Sequence, residues 1–395
     1  MHVIAEQALS KLLAKAERQR IKAGSGPVPS LKFTKASLPA YNVALTRAVL
    51  SEIHSEVREA ERAGALTIDW DHRAGEDGQI ERIRLRDASA LAQHIGVTPR
   101  WQIVAEAERT VAPWRGQWRV DDIWARWALD QKVRGLGPEH ASLLDDACRV
   151  LEQLPDNQDV PVRRLSAATF HNSKHIEVTL VGILDELTRT TNMITADRTL
   201  VLQRLGLVKH PQPLLIAGHC DIRMSGGVTA PLHRPYTGLA PDHFVGLAGA
   251  APAHVLTIEN LTTFNEVARG LKDADNVLVI YTGGVPSPAI RLALRALIAD
   301  CSNETGFWHW GDIDVGGLRI ALMIDAQLGG TTRLRPWQMD PSAVPAEAVV
   351  PGAQPSVIKE MTSLAESLGW LEVAAGIQRT LGTVEQEILQ PIRPF

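Results

Sequence analysis

The sequence predicts an α/β protein with a mainly helical N-terminal part, and three observations carry that reading. Between residues 254 and 328, short apolar runs (254–259, 277–281, 307–311) alternate with helical patterns (261–270, 287–299, 316–328), as in a parallel sheet with helical crossovers. Each run stops abruptly at an acid or a glycine pair: Glu259, Gly283-Gly284, Asp312. Upstream, residues 5–62 carry a helical period with few strand signals.

The first helix is expected over 5–22, with Leu9, Leu12 and Leu13 on one side and basic residues around the other; a Gly-Ser-Gly-Pro stretch stops it. A second helix is expected over 42–62, ending at Gly64. The period then changes to two. Residues 66–70 and 80–85 read as strands joined by a polar loop, 71–78, and helices followed by such a ribbon suggest a winged helix. Arg82, Arg84 and Arg86 share one face of the ribbon, either as a solvated surface or as a wing contacting phosphates. Residues 87–154 read as helical. Their tryptophans (Trp101, Trp114, Trp118, Trp124, Trp127), interleaved with aliphatic residues, read as core anchors.

A Pro/Asp/Asn-rich stretch, 155–161, is a linker candidate. Residues 163–177 lead into a helical tract over 176–189, and Arg163, Arg164, Lys174 and His175 form a possible second basic spot. After Pro211 the texture shifts to short apolar runs, with a strand at 214–218 and glycine- and proline-rich loops. The tail is expected to contain helices at 358–368 and 383–389, the latter bearing Glu385 and Glu387. The domain division expected is 1–100 (helical and winged-helix), 101–210 (helical linker and DNA-binding region) and 211–395 (α/β).

The composition is that of a folded protein: 395 residues, 45% hydrophobic and 22% charged. A net charge of −4 gives no global basic signature, so a nucleic-acid partner would need a local patch. Three cysteines without metal spacing, no apolar leader and no long apolar run together suggest a cytoplasmic protein.

In a sheet of this kind, functional groups gather beyond the carboxyl ends of the strands. Glu259, Asp312 and Asp314 would therefore converge, repel one another and raise their own pKa values unless a cation neutralises them. Mg²⁺, with Mn²⁺ as substitute, suits an all-carboxylate set; the His/Cys ligands that zinc prefers are missing here. Gly316 and Gly317 open the next helix, where backbone N–H groups could meet an anion, and Gly283-Gly284 permits a similar approach. Phosphodiester chemistry fits these parts. Nucleotide phosphotransfer is disfavoured, since no Gly-x-x-x-x-Gly-Lys-Ser/Thr run occurs.

At these residues the chain resembles a Toprim domain: Ile258-Glu259-Asn260, Gly283-Gly284, and Gly311-Asp-Ile-Asp-Val-Gly-Gly317. The phrasing Trp310-Gly-Asp-Ile-Asp-Val-Gly-Gly-Leu-Arg319 is similar to the D-subunit (JetD) family of Wadjet plasmid-defence systems, as are Phe170–Glu177 and Glu385-Gln386-Glu387. The resemblance implies winged-helix parts followed by a Toprim domain with a mostly parallel four-stranded sheet. It implies a homodimeric nuclease for closed circular double-stranded DNA, working with an SMC-like ATPase, a kleisin and a small winged-helix subunit. By position, Glu259 would be a metal ligand or general acid/base, Asp312 and Asp314 paired ligands, and Lys174 a residue near the DNA strand. Related type IIB topoisomerases attack DNA with a tyrosine. Tyr41, Tyr236 and Tyr281, the three in this chain, have no setting suited to that, so water-mediated hydrolysis is expected. The rivals are a transesterase using Tyr41 or Tyr236 and a non-catalytic DNA-binding subunit.

Overall fold

The computed structural model describes residues 1–21, 27–43, 45–71, 78–189, 197–272, 275–330 and 332–391. They form two units, Met1–Cys148 and Arg149–Phe395.

In the first unit, the helices Val3–Ile21 and Arg47–Arg62 put Leu9, Leu12, Ile53 and Val57 into one core. The strands Leu66–Trp70 and Ile80–Leu85 pair antiparallel, and Ser30–Lys32 adds a third strand on the other side of Ile80–Leu85. Part of the polar loop expected between the first two, residues 72–77, lies outside the described residues. A bulge opposite Asp69–Trp70 breaks the alternation and lets both Ile80 and Ile83 face inside, while Arg84 stays outside, where its guanidinium meets Asp69 at 2.7 Å. Arg86 is likewise exposed and Arg82 half-buried.

The tryptophan cluster corrects the expectation. Trp127 is buried and donates from Nε1 to Leu136 O (3.0 Å), but Trp118 is 67% exposed with the Arg119 guanidinium 3.7 Å from its ring centroid. Arg20 and Arg115 similarly cover the half-buried Trp101 and Trp124. A guanidinium stacked on the ring lets these residues sit at the surface, which aliphatic neighbours in sequence do not reveal.

The second unit is built on a six-stranded sheet in the order Leu334–Pro336, Gly306–Trp310, His254–Ile258, Val277–Tyr281, Leu214–Gly218, Thr237–Leu239. The first four run parallel; Leu214–Gly218 is antiparallel to its neighbour, and Thr237–Leu239 is antiparallel to it in turn. The sheet is thus mixed, not the mostly parallel four-stranded one expected. The glycine- and proline-bearing stretch after Pro211 returns along the edge and supplies the extra strands. It also supplies a separate antiparallel sheet of Phe244–Ala248, Asp221–Met224 and Val228–Pro231.

Residues 255–258 and 277–280 are buried throughout, which is why they read as continuous apolar runs and not as alternating ones. Helices follow at Leu261–Gly270, Pro288–Ala299 and Val315–Asp325, each capped by a side chain that accepts from a first-turn amide: Asn260, Ser287 and Asp314. The helix expected at 383–389 does not form. Residues 382–383 pair with Val350–Pro351, Val384 bridges Ile313, and only a single 3₁₀ turn, Gln386–Ile388, remains. A segment this short cannot offset the cost of nucleating a helix, and its polar groups are taken by neighbouring loops. Leu371–Thr380 is a further helix outside those expected, with Val373, Ala374 and Ile377 on its buried face.

Candidate metal-dependent site at the sheet edge

Three central strands end level. Ile258 is in register with Trp310 on one side and Tyr281 on the other, so Glu259, Gly311 and Thr282 leave the sheet together. Backbone bonds continue the ladder one step further: Glu259 N donates to Trp310 O (3.0 Å) and Thr282 N to Ile258 O (2.9 Å). Register therefore fixes where the glutamate emerges.

Its carboxylate is held beside the next loop, and Asp312 N donates to Glu259 Oε2 at 3.4 Å. Burial pushes the Glu259 carboxyl up to about 8, reinforced by the charges of Asp312, Asp314 and Glu385 and opposed by that Asp312 amide. Asp312 is also raised, by burial first and then by Glu385, Asp314 and Glu387, against the Gln386 amide bond to its Oδ1 (2.7 Å). Gly311 is required by close approach: a Cβ there would fall 2.6 Å from Glu259 Oε2 and 2.9 Å from His309 Nε2. His309 is fully buried, accepts or donates at Nδ1 with Thr257 Oγ1 (2.9 Å), and is held neutral because burial lowers it to about 3.

Glu259, Asp312, Asn260, Tyr281, Gly283, Gly284 and Glu387 line one open cleft of about 340 Å³. Of the three acids expected to converge, Glu259 and Asp312 line this cleft and Asp314 is not among its lining residues. Asp314 Oδ1 accepts from Gly317 N (2.7 Å), capping the helix, so that amide is engaged within the chain. Among the described residues no three His, Cys, Asp or Glu side chains stand grouped as a metal site. The chemistry of the donors nevertheless fits a hard cation. Carboxylates gather there, one of them is raised well above its ordinary pKa by burial and then by the others, and among the described residues no Lys or Arg lines the cleft.

The remaining expected residues lie elsewhere. Lys174 is exposed, its amide bonded to Asn172 Oδ1 (3.0 Å), and is not among the cleft-lining residues. Arg82, Arg84 and Arg86 belong to the other unit. Sequence reasoning missed the part played by Gln386, whose polar atoms reach three positions at the site. A buried amide between two glutamates in a proline-bounded tail was the available signal. Beside the acidic cleft lies a second one of about 420 Å³, also lined by Gly283, with Arg198, Lys209 and His210 on its walls.

Fold and site together define a class: an α/β protein whose parallel strands deliver a half-buried glutamate and an aspartate pair to one sheet edge. Residues 242–390 match the family model described as "Wadjet protein JetD, C-terminal", and residues 32–189 match one described as "Uncharacterized protein conserved in bacteria N-term". A Wadjet protein JetD of Bacillus cereus (strain Q1) is 30% identical over 204 residues, covering 50% of this chain and 48% of that protein. The chain thus matches about half the length of this curated relative. These matches support a relationship to the Wadjet JetD family. No helix among the described residues is long and apolar enough to cross a membrane.

Proposed function

We propose that this chain is a Toprim-type, divalent-metal-dependent DNA endonuclease that cleaves closed circular double-stranded DNA by water-mediated hydrolysis. The observation that carries the reading is Glu259, half-buried at the sheet edge beside Asp312 and raised to about 8 by desolvation first and then by neighbouring acids. Mg²⁺ or Mn²⁺ held by Glu259, Asp312 and Asp314 would compensate those charges and supply electrophilic help to a phosphate. In the reaction, water oxygen bonds to phosphorus, the P–O3′ bond breaks, and the departing oxygen takes up a proton. If Asp312 and Asp314 hold the cation without it, Glu259 would instead be the group that holds or gives a proton at Oε2. The neighbouring cleft with Arg198, Lys209 and His210 would carry the adjoining backbone phosphates. Lys174 and the Arg82, Arg84 and Arg86 face of a winged-helix region would add DNA contacts.

Hydrolysis is favoured over a tyrosyl intermediate. The Tyr41 hydroxyl accepts from Ile80 N (2.8 Å) and bonds His54 Nε2 (2.8 Å) in a residue 1% exposed. Tyr236 packs on Phe264. Tyr281 lines the cleft, but burial and the Glu259 charge raise its hydroxyl above the ordinary range and make the attacking phenolate harder to form. On the relationship to the JetD family we also place the chain, as a homodimer, in an SMC-type defence complex with an ATPase, a kleisin and a small winged-helix subunit.

The test is supercoiled plasmid incubated with the purified chain and Mg²⁺ or Mn²⁺. Linear or nicked product is expected, lost in Glu259→Ala and Asp312→Ala and kept in Tyr281→Phe. Protein-linked DNA that disappears in Tyr281→Phe would establish a transesterase instead.

A further inference from the structure

Gln386 is a fully buried amide at the rim of an acidic cleft, and each of its polar groups has a partner. Its Oε1 accepts from Asn260 N (2.9 Å), the residue after Glu259. Its Nε2 donates to Trp310 O (3.2 Å), where the neighbouring strand ends, and its backbone N donates to Asp312 Oδ1 (2.7 Å). Glu387 Oε1 accepts from Asn260 Nδ2 (2.6 Å), and the bridge between Val384 and Ile313 holds the segment from the other side. An amide is the only side chain of this length that accepts at one end and donates at the other. Glutamate would lose the donor and add a further acid; asparagine is one methylene short of spanning both partners.

We infer that Gln386 is a positioning residue: it clasps the Glu259–Asn260 loop to the Trp310–Asp312 loop and so sets the relation of the two carboxylates. Asp312 is oriented by the clasp's backbone and Glu259 through the amide of the residue that follows it. Strand register brings the two loops level and the long Asp312 N–Glu259 Oε2 bond (3.4 Å) joins them directly; the clasp ties both to a third segment as well. The inference deepens the proposed metal-dependent cleavage and rests on it.

The test uses the full chain and its Gln386→Met variant, which keeps the volume and removes both side-chain bonds. Three effects are expected. Amide exchange at Asn260 quickens in the absence of metal. Mn²⁺ affinity, read by calorimetry, falls about 10–100-fold, the usual cost of losing a group that orients ligands. The kcat for plasmid cleavage falls with it while KM for DNA holds. Gln386→Leu, which removes the same two side-chain bonds with a different shape, is expected to show the same three effects and serves if the methionine variant does not fold. Val384→Ala removes packing from the same segment without touching the amide; it should lower the melting temperature and leave Mn²⁺ affinity alone. Unchanged exchange at Asn260 in Gln386→Met overturns the clasp, as does equal weakening of Mn²⁺ by Val384→Ala. A wild-type chain that takes up no Mn²⁺ overturns the functional reading, and with it the clasp's role in cleavage, whatever exchange shows.

Discussion

Glu259 is a carboxyl that burial and three neighbouring acids hold protonated near neutral pH, and this gives stability a pH signature. In the unfolded chain a glutamate ionises near 4.5. Below that pH both states carry the proton and the group costs nothing. As pH rises from about 4.5 to about 8 the unfolded state ionises first, so stability drains until the folded group ionises too. Metal-free protein should therefore become less heat-stable across that window. Glu259→Gln, which never ionises, should melt higher than wild type at pH 8 and alike at pH 4, by about 2–4 °C for each kcal/mol of relieved strain. Mn²⁺ should raise the wild-type melting temperature at pH 8 and leave Glu259→Gln unmoved. Equal metal stabilisation of both proteins would place the cation elsewhere.

At the level of elements, the glycine pair that opens helix Val315–Asp325 separates close packing from mere turn chemistry. A Cβ on Gly317 would come within 2.1 Å of Asp312 O and 3.0 Å of its backbone C and N, atoms that cannot step aside. On Gly316 a Cβ would meet only the Asp314 carboxylate, at 3.2 Å. Gly317→Ala should cost about 1–3 kcal/mol through overpacking and abolish cleavage by displacing Asp312. Gly316→Ala should be near neutral, the gain in helix propensity offsetting a small side-chain shift. Urea unfolding of the two variants measures the contrast. The same elements show what sequence could reveal. The strands His254–Ile258, Val277–Tyr281 and Gly306–Trp310 and the helices after them were legible, because buried parallel strands read as unbroken apolar runs and caps mark the helix starts. Glu259 and Asp312 were legible as the acids at those run ends. The edge strands Thr237–Leu239 and Leu334–Pro336 were not, being three residues long and half-exposed. Nor was the clasp, since what Gln386 does depends on bonds to residues 74 and 126 positions away, which no local pattern encodes. Asp314 shows a subtler limit: the Asp-x-Asp spacing is visible, but not that one oxygen is already capping a helix.

For the molecule as a whole, a net charge of −4 and an acidic cleft mean that long-range electrostatics do not draw in DNA. On the proposed reaction, attraction would come from local cations close enough to the acids to share one strand. In the second unit, the cleft that shares Gly283 with the acidic one supplies Arg198, Lys209 and His210. Arg198 is partly committed, donating to Val178 O at 3.0 Å, whereas Lys209 is exposed on the groove wall. Each phosphate neutralised by a lysine releases about 0.9 of a condensed counterion, so the logarithm of affinity falls with the logarithm of salt in proportion to such contacts. Lys209→Glu should therefore weaken binding to linear duplex uniformly across sequences and flatten the salt dependence by about one unit of slope. Lys359, which lines a different cleft away from the acids, should change neither when made glutamate. Fluorescence anisotropy of a labelled duplex over a salt series reads both. A slope unchanged by Lys209→Glu would mean that the strand takes another route past Gly283, and the acidic cleft would then have to be approached from the Glu387 side.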